Sequence, residues 1–275
     1  MQKEIYDLSG VLRKAGVMRK YAGCLSVKGN YRKKNQDRAC CLSSSKKGIL
    51  FAVGCVCDGI GSFAQSEIAA EEIRVGIERW FLGMEPLYPE NIDEESLIDD
   101  LDMTIRELNE LIWIYRKENG IDIGCTMSLL VLLNEKYHVF HVGDSKILLI
   151  DDRVSQITKD EVSVVERDGK LKTLLANFMG KVEELWMNQS SGSLVPGETF
   201  LVGSDGLFKR LREDILFDVI RRKNVQSDTE AEDVLKYLIR NVMEMGEKDN
   251  ISGVLVRIRV PGMPYILDKA AGSRS

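Results

Sequence analysis

Residues 51–62 read "FAVGCVCDGIGS": seven residues suited to a strand interior run into an aspartate and a glycine. The arrangement returns in "TFLVGSDGLF" (199–208) and, with the glycine ahead of the acid, in "YHVFHVGDSK" (137–146). A single Asp-Gly after a strand is an ordinary corner. Several apolar strands that each end on a carboxylate say more. Strands of one sandwich share edges, so acids at their ends can converge on one patch.

Working outward, "AGCLSVKG" and "DRACCLSS" read as two short strands around the loop "NYRKKNQ", and "GILFAVGCVCD" as a third. From residue 66 the period changes. "SEIAAEEIRVGIERWFLGM" sets Ile68, Ile73, Ile77 and Phe81 at helical spacing, with Ser66 as the expected N-cap. "DEESLIDDLDMTIRELNELIWIYRKENG" is a long amphipathic helix whose apolar line runs through Leu97, Leu101, Ile105, Leu108 and Ile112, and Gly120 stops it. "GCTMSLLVLLN" and "KYHVFHVGDSKILLID" follow as two strands joined by a hairpin link, then "ETFLVGSDG". Two more helices, "REDILFDVIRRK" and "DTEAEDVLKYLIRNVMEMG", precede a last strand, "DNISGVLVRIRV". Hairpin-length links argue for antiparallel sheets, and helices arriving in pairs argue against alternating βα units. The expected fold is α+β: a four-layer α-β-β-α sandwich of two antiparallel sheets flanked by helix pairs. It is expected over residues 19–262, with an N-terminal arm or helix over 1–18 and a tail over 263–275.

Composition narrows the function. The 275 residues suffice for one large domain with a real core, and no Gly/Ser-rich or Pro-rich linker divides them. A net charge of −5 argues against a nucleic-acid or anionic-membrane surface. The opening "MQKEIYDLSGVLRKAG" lacks the apolar core of a secretory signal, and no apolar run approaches membrane-spanning length. The six cysteines lie mostly inside strand-like runs without a CxxC pair, so they read as free, buried thiols in a reducing cytoplasm.

Four aspartates, Asp58, Asp144, Asp205 and Asp249, stand where strands meet loops, and Asp37 lies in an earlier loop. Clustered carboxylates repel one another and are costly to hold ionised without cations among them. With no His or Cys suitably placed, an all-oxygen set points to hard divalent ions, Mg²⁺, Mn²⁺ or Ca²⁺. The glycine beside each of Asp58, Asp144 and Asp205 lets the backbone approach closely, so that the Gly59 carbonyl could itself be a ligand.

These segments resemble the motifs of the metal-dependent Ser/Thr protein phosphatases, the PPM or type 2C family, in its bacterial form. The matches run in the family's order: "RKKNQDR", "FAVGCVCDGIGS", "GCTMSLLVLL", "FHVGDSKILLI", "ITKDE", "FLVGSDGLFKRL" and "EKDNISGVLVRI". The resemblance implies a two-metal centre of Mn²⁺ or Mg²⁺ bridged by Asp58. Asp205 and Asp249 would complete one ion and the Gly59 carbonyl would serve the other. Asp37 would orient metal-bound water, Asp144 would hold a third, weaker ion, and Arg32 would grip the substrate phosphate. The implied reaction is hydrolysis of phosphoserine and phosphothreonine in a phosphorylated protein by direct attack of a metal-bridging water. A Ser/Thr kinase system is the implied counterpart.

The sequence departs from the family pattern in places. Gln36 stands where many members place a glutamate, Lys146 replaces an arginine, Ser62 a glycine, and Ile60 the histidine of animal members. The segment after "ITKDE" is shorter than the bacterial flap. His138 and His141, inside an expected strand, read as packed residues rather than ligands or acids. Lys33 and Lys34 read as a solvated loop. Packing accounts for Trp80, Trp113 and Trp186 as well as binding does, and Met187 and Met243 read as core. A catalytically weak or inactive relative that binds a protein partner, and a small-molecule phosphomonoesterase on the same centre, are the alternative readings.

Overall fold

The computed structural model describes residues 18–167 and 170–260. The expected arm and tail fall outside these apart from Met18. Five strands form the first sheet in the order β1 (Arg19–Val27), β12 (Ile251–Arg259), β11 (Thr199–Gly203), β6 (Lys146–Ile150) and β7 (Val154–Gln156). The second sheet runs β10 (Asn188–Ser193), β5 (Lys136–Val142), β4 (Met127–Leu133), β3 (Phe51–Cys57) and β2 (Arg38–Ser43). A separate hairpin pairs β8 (Val162–Arg167) with β9 (Lys170–Leu175). Every pairing of these strands is antiparallel.

Three apolar layers hold the stack. In β3 and β4, Phe51, Val53, Cys55, Met127, Leu129 and Val131 face helices α1 (Ser66–Met84) and α2 (Glu94–Asn119). The alternate residues Ala52, Val56, Leu130 and Leu132 face the other sheet, where they join Phe200, Val202, Val254 and Val256 in one buried cluster. On that sheet's outer side, Leu201 and Leu255 pack with Leu216 of α4 (Glu213–Arg222) and Leu235 and Leu238 of α5 (Asp228–Glu244). An antiparallel sheet usually leaves one face to water. Here both faces are covered, so β3, β4 and β11 are buried at every position and show no polar alternation. The four-layer α-β-β-α architecture is the one the element order implied.

Several local expectations are corrected. The N-cap of α1 is Gln65, not Ser66, which is its first helical residue and buries a hydroxyl with no hydrogen-bond partner. Ile68 is exposed, because steps of three and four back from Ile73 reach Ala70 and Ala69 and leave residue 68 off the stripe. The α2 line is buried as expected, Asp93 caps its start through the Ser96 N–H at 2.8 Å, and Gly120 ends it in the left-handed region at φ 62°. The run 136–151 is two strands in different sheets: Gly143, at φ 109°, turns the chain from β5 into β6. A short helix, α3 (Asp205–Phe208), follows β11, and β7 to β10 fill a stretch that carried no expected strand. Trp186 is 64% exposed rather than packed, whereas Trp80 is buried and donates to Asp100 Oδ1 at 2.8 Å. All six cysteines are free, with Cys24 and Cys41 only partly buried. Among the described residues no helix is long and apolar enough to cross a membrane.

Candidate functional site

The five aspartates singled out in the sequence each lie within two residues of a strand terminus: Asp37 before β2, Asp58 after β3, Asp144 between β5 and β6, Asp205 after β11 and Asp249 before β12. Sandwich geometry therefore gathers five segments from both sheets at one edge. Asp58 registers the gathering. Burial pushes its carboxyl well above the ordinary carboxylate range, and the negative fields of Asp37, Asp205, Asp249 and Asp144 push the same way. Burial likewise raises Asp37 to about 7 against the hydroxyls of Ser252 and Ser204, which favour its ionised form. Asp144 is raised to about 6 by burial and then by the charge of Asp205.

Two cations face this field. Arg32 makes a two-pronged pair with Asp249, Nε to Oδ1 at 2.8 Å and Nη2 to Oδ2 at 2.9 Å. Lys209, one helical turn beyond Asp205, reaches its Oδ2 at 2.5 Å and Asp249 Oδ2 at 3.5 Å. Burial works to raise Asp249, but the Arg32 hydrogen bonds and charge prevail and hold it below the ordinary range.

The backbone around the acids is cross-braced. Asp58 N–H donates to Thr126 Oγ1 at 3.1 Å and its carbonyl accepts the Thr126 N–H at 2.8 Å, locking β3's end to the start of β4. Asn250 is the clamp. Its Oδ1 accepts the Gln36 N–H at 3.0 Å, and its Nδ2 donates to the carbonyls of Lys28 and Lys34, both at 2.9 Å. The loop carrying Arg32 and Asp37 is thereby fixed to the start of β12. Two glycines permit the close fit. A Cβ at Gly59 would stand 2.6 Å from the Gln36 carbonyl oxygen, and one at Gly206 would collide with the Asn250 carbonyl.

A family model for protein phosphatase 2C matches residues 31–243. The chain belongs to the protein phosphatase 2C family. The protein phosphatase PhpP of Streptococcus pneumoniae is 27% identical over 147 residues, 49% of this chain and 58% of PhpP. The chain thus spans a little over half the length of that curated relative. PppA, described as a key regulatory component of T6SS in Pseudomonas aeruginosa, superposes with a TM-score of 0.69 at 21% identity, covering 88% of this chain and 98% of PppA. The catalytic domain of the serine/threonine phosphatase PstP, solved with two manganese ions, superposes at 0.67 and 20% identity, covering 88% of this chain and 99% of that domain. At these identities the structural likenesses establish the shared fold.

The donor set of this 2C-family chain suits a hard divalent ion. Asp37 Oδ2 and Asp205 Oδ1 are buried oxygens with no hydrogen-bond partner, and the acids around them are all oxygen donors. Among the described residues no three His, Cys, Asp or Glu side chains form a ready-made cage. Asp249 is turned onto Arg32 and Asp205 onto Lys209.

The departures from the family pattern have local explanations. The Gln36 amide turns toward α1, donating to the Phe63 carbonyl at 3.1 Å and to Glu67 Oε2 at 3.4 Å. Lys146 pairs with Asp160 at 2.8 Å, and Lys34 with Glu67 at 2.8 Å. His141 is fully buried: Nδ1 meets Ser128 Oγ, while Nε2 lies 3.0 Å from the carbonyls of both Gly143 and Lys159. Two carbonyls at Nε2 require its proton there, which assigns the tautomer. His138 lies 3.3 Å from Glu94 Oε1, away from the aspartates. Sequence reasoning missed Asn250, Lys209 and Glu161. Glu161 accepts from the Gly143 N–H, Asn177 and Asn188 at 2.6–2.9 Å, tying the Asp144 corner to the base of the β8–β9 hairpin and to β10. The glutamate that closes the matched "ITKDE" was the available signal.

Proposed function

We propose that this chain is a metal-dependent phosphatase of phosphoserine and phosphothreonine in proteins, using Mn²⁺ or Mg²⁺. The observation that carries the reading is the convergence of five acids from five segments beside Arg32, in a 2C-family chain. Asp58, Asp205, Asp249 and the Gly59 carbonyl are the residues to hold two ions, with Asp37 beside them and Asp144 for a third. When bound, such ions supply a nucleophile at neutral pH and offset charge on the phosphoryl oxygens. The chain's own residues do the rest. Arg32 engages two of its five donors with Asp249 and directs its remaining N–H groups to phosphoryl oxygens, orienting the ester. Asp37, held by the hydroxyls of Ser204 and Ser252, keeps Oδ2 available in the cluster. Asn250 and Gly59 hold these groups in position before substrate arrives. A cytoplasmic location and a Ser/Thr kinase as the source of substrates belong to the same proposal. The manganese of PstP and the phosphatase descriptions of PhpP and PstP support it.

The test is turnover of p-nitrophenyl phosphate and of a phosphothreonine peptide with and without Mn²⁺. Activity that needs Mn²⁺, stops with EDTA and disappears in Asp205→Ala is expected. A folded, metal-supplied protein that turns over neither compound would instead favour a scaffold that binds a partner. Turnover confined to p-nitrophenyl phosphate would favour a small-molecule phosphomonoesterase.

A further inference from the structure

Next to the aspartate cluster lies an open cavity of about 600 Å³. Arg32, Lys209 and Asp249 line it, so it is continuous with the centre. Its outer wall is made of Tyr31, Arg210, Glu247 and Lys248. The chain as a whole carries a charge of −5, yet four cations stand here against two carboxylates. Positive side chains outnumber negative ones in this lining, although Lys209 also pairs with Asp205 at 2.5 Å.

Both carboxylates are already engaged. Asp249 holds Arg32, and the buried Glu247 accepts the N–H groups of Lys248 and Asp249 at 2.8 and 3.0 Å while Arg210 Nε stands 3.5 Å from its Oε2. The outer cations are therefore only lightly compensated. Lys248 is exposed and lies over the ring of Tyr31, 5.9 Å from its centroid. Tyr31 is itself 60% exposed in a polar loop. An aromatic face beside an ammonium and a guanidinium offers a platform for a peptide and charge for an acid. The platform is anchored at its flanks: Asn250 holds the carbonyls of Lys28 and Lys34 on either side of Tyr31, and Glu247 holds the N–H of Lys248.

We infer that this cavity is a second subsite taking a side-chain carboxylate that flanks the phosphorylated residue, so that acidic phosphoprotein segments are the favoured substrates. This rests on the proposed phosphatase activity. With the phosphate at Arg32, an extended peptide advances about 3.3–3.6 Å per residue, which carries a neighbouring side chain into the adjoining cavity within a few residues. Charge complementarity selects an acid there and disfavours a basic flank.

The experiment compares three peptides that differ only in flanking Glu, Ala or Lys and carry a non-hydrolysable phosphonate in place of phosphothreonine. Binding is measured by fluorescence anisotropy with Mn²⁺ present, at low and high salt. The Glu peptide should bind about fivefold or more tightly than the Ala peptide and the Lys peptide more weakly, with the spread shrinking at high salt. Lys248→Glu and, separately, Tyr31→Ala and Arg210→Ala should compress the spread. Equal binding of the three peptides to the wild-type protein overturns the subsite, as does a spread that all three variants retain. Turnover of p-nitrophenyl phosphate is scored in parallel. Turnover without peptide discrimination sinks the subsite alone. Discrimination without any turnover upholds the anionic subsite and sinks the phosphatase reading.

Discussion

Two segments leave the aspartate edge, and they are held in opposite ways. The loop between β1 and β2 has no regular structure, yet it is fastened at both ends. Asn250 takes three of its backbone groups, Asn35 donates to Ser26 Oγ at 2.8 Å, and Gln36 reaches α1. The β8–β9 hairpin has a full ladder of six residue pairs, yet Val162, Val164, Leu171 and Leu174 are exposed and none joins an apolar cluster. Its attachment is at the base, through Glu161. Regular hydrogen bonding and rigidity of placement are thus separate properties. Buried polar side chains place the loop that bears Arg32 and Asp37, whereas the hairpin's ladder fixes only its own shape.

The sharpest way to break this contrast is to remove the clamp. Asn250→Ala would remove three hydrogen bonds from the part-buried backbone of the loop, each with a net stabilisation of about 1 kcal/mol. We expect a loss of about 3 kcal/mol in denaturant unfolding, and phosphatase turnover reduced more than a hundredfold as Arg32 and Asp37 lose their placement. A stability change below about 1 kcal/mol would mean the loop is held by other means. Glu161→Ala comes next. It removes the acceptor shared by the Gly143 N–H, Asn177 and Asn188, with an expected cost of about 2 kcal/mol. Faster amide exchange confined to the hairpin and the Gly143 corner is the accompanying signature. Exchange that spread instead through β3 and β4 would contradict a base-only attachment.

How much of this was legible follows from where each signal is written. The α2 stripe and the strand-end aspartates are local patterns, and both survive in the structure. The β5–β6 run hides its sheet change because apolar residues continue across Gly143, and only the positive φ of that glycine marks the corner. β10 reads "NQSSGS", with no apolar residue at all, because it is an edge strand bonded to β5 alone. Asn250 is invisible for another reason. Its partners lie more than 200 residues away, and "DN" before a strand looks like any turn. Asp205 and Asp249 could be named from the sequence, but their pairing with Lys209 and Arg32 depended on which way side chains turn once five segments meet.

A weaker effect is expected from protonation beneath the hairpin's base. Burial lowers the pKa of His141, against the carbonyls of Lys159 and Gly143 and the charge of Asp160, which favour the protonated form. The unfolded chain takes up a proton near its ordinary value of about 6.5 while the folded chain resists it. His141 therefore costs nothing above that pH and withdraws stability as pH falls through about 6.5 toward the lower folded value. The thermal midpoint should decline across this window, and His141→Gln, although less stable at pH 7.5, should decline less. A slope that His141→Gln leaves unchanged would assign the effect to other groups.

The smallest effect is expected at the hairpin itself, and it tests the contrast from the opposite side to Asn250. Leu171 is 76% exposed and stands across from Glu166 in the ladder, so Leu171→Ser removes almost no buried apolar surface. Exposed substitutions away from caps, cores and networks fall within about 0.5 kcal/mol. Leu171→Ser should therefore unfold at nearly the wild-type denaturant midpoint, and Mn²⁺-dependent turnover of p-nitrophenyl phosphate should stay within about twofold. Asn250→Ala and Leu171→Ser then bracket the comparison, one altering a buried polar side chain with three backbone partners and the other an exposed apolar side chain in no apolar cluster. If Leu171→Ser costs more than about 1.5 kcal/mol, the hairpin packs on something in solution, and its independence from the three cores is wrong. A small stability change accompanied by a large change in turnover of phosphopeptides alone would leave the packing argument intact and place Leu171 against the substrate.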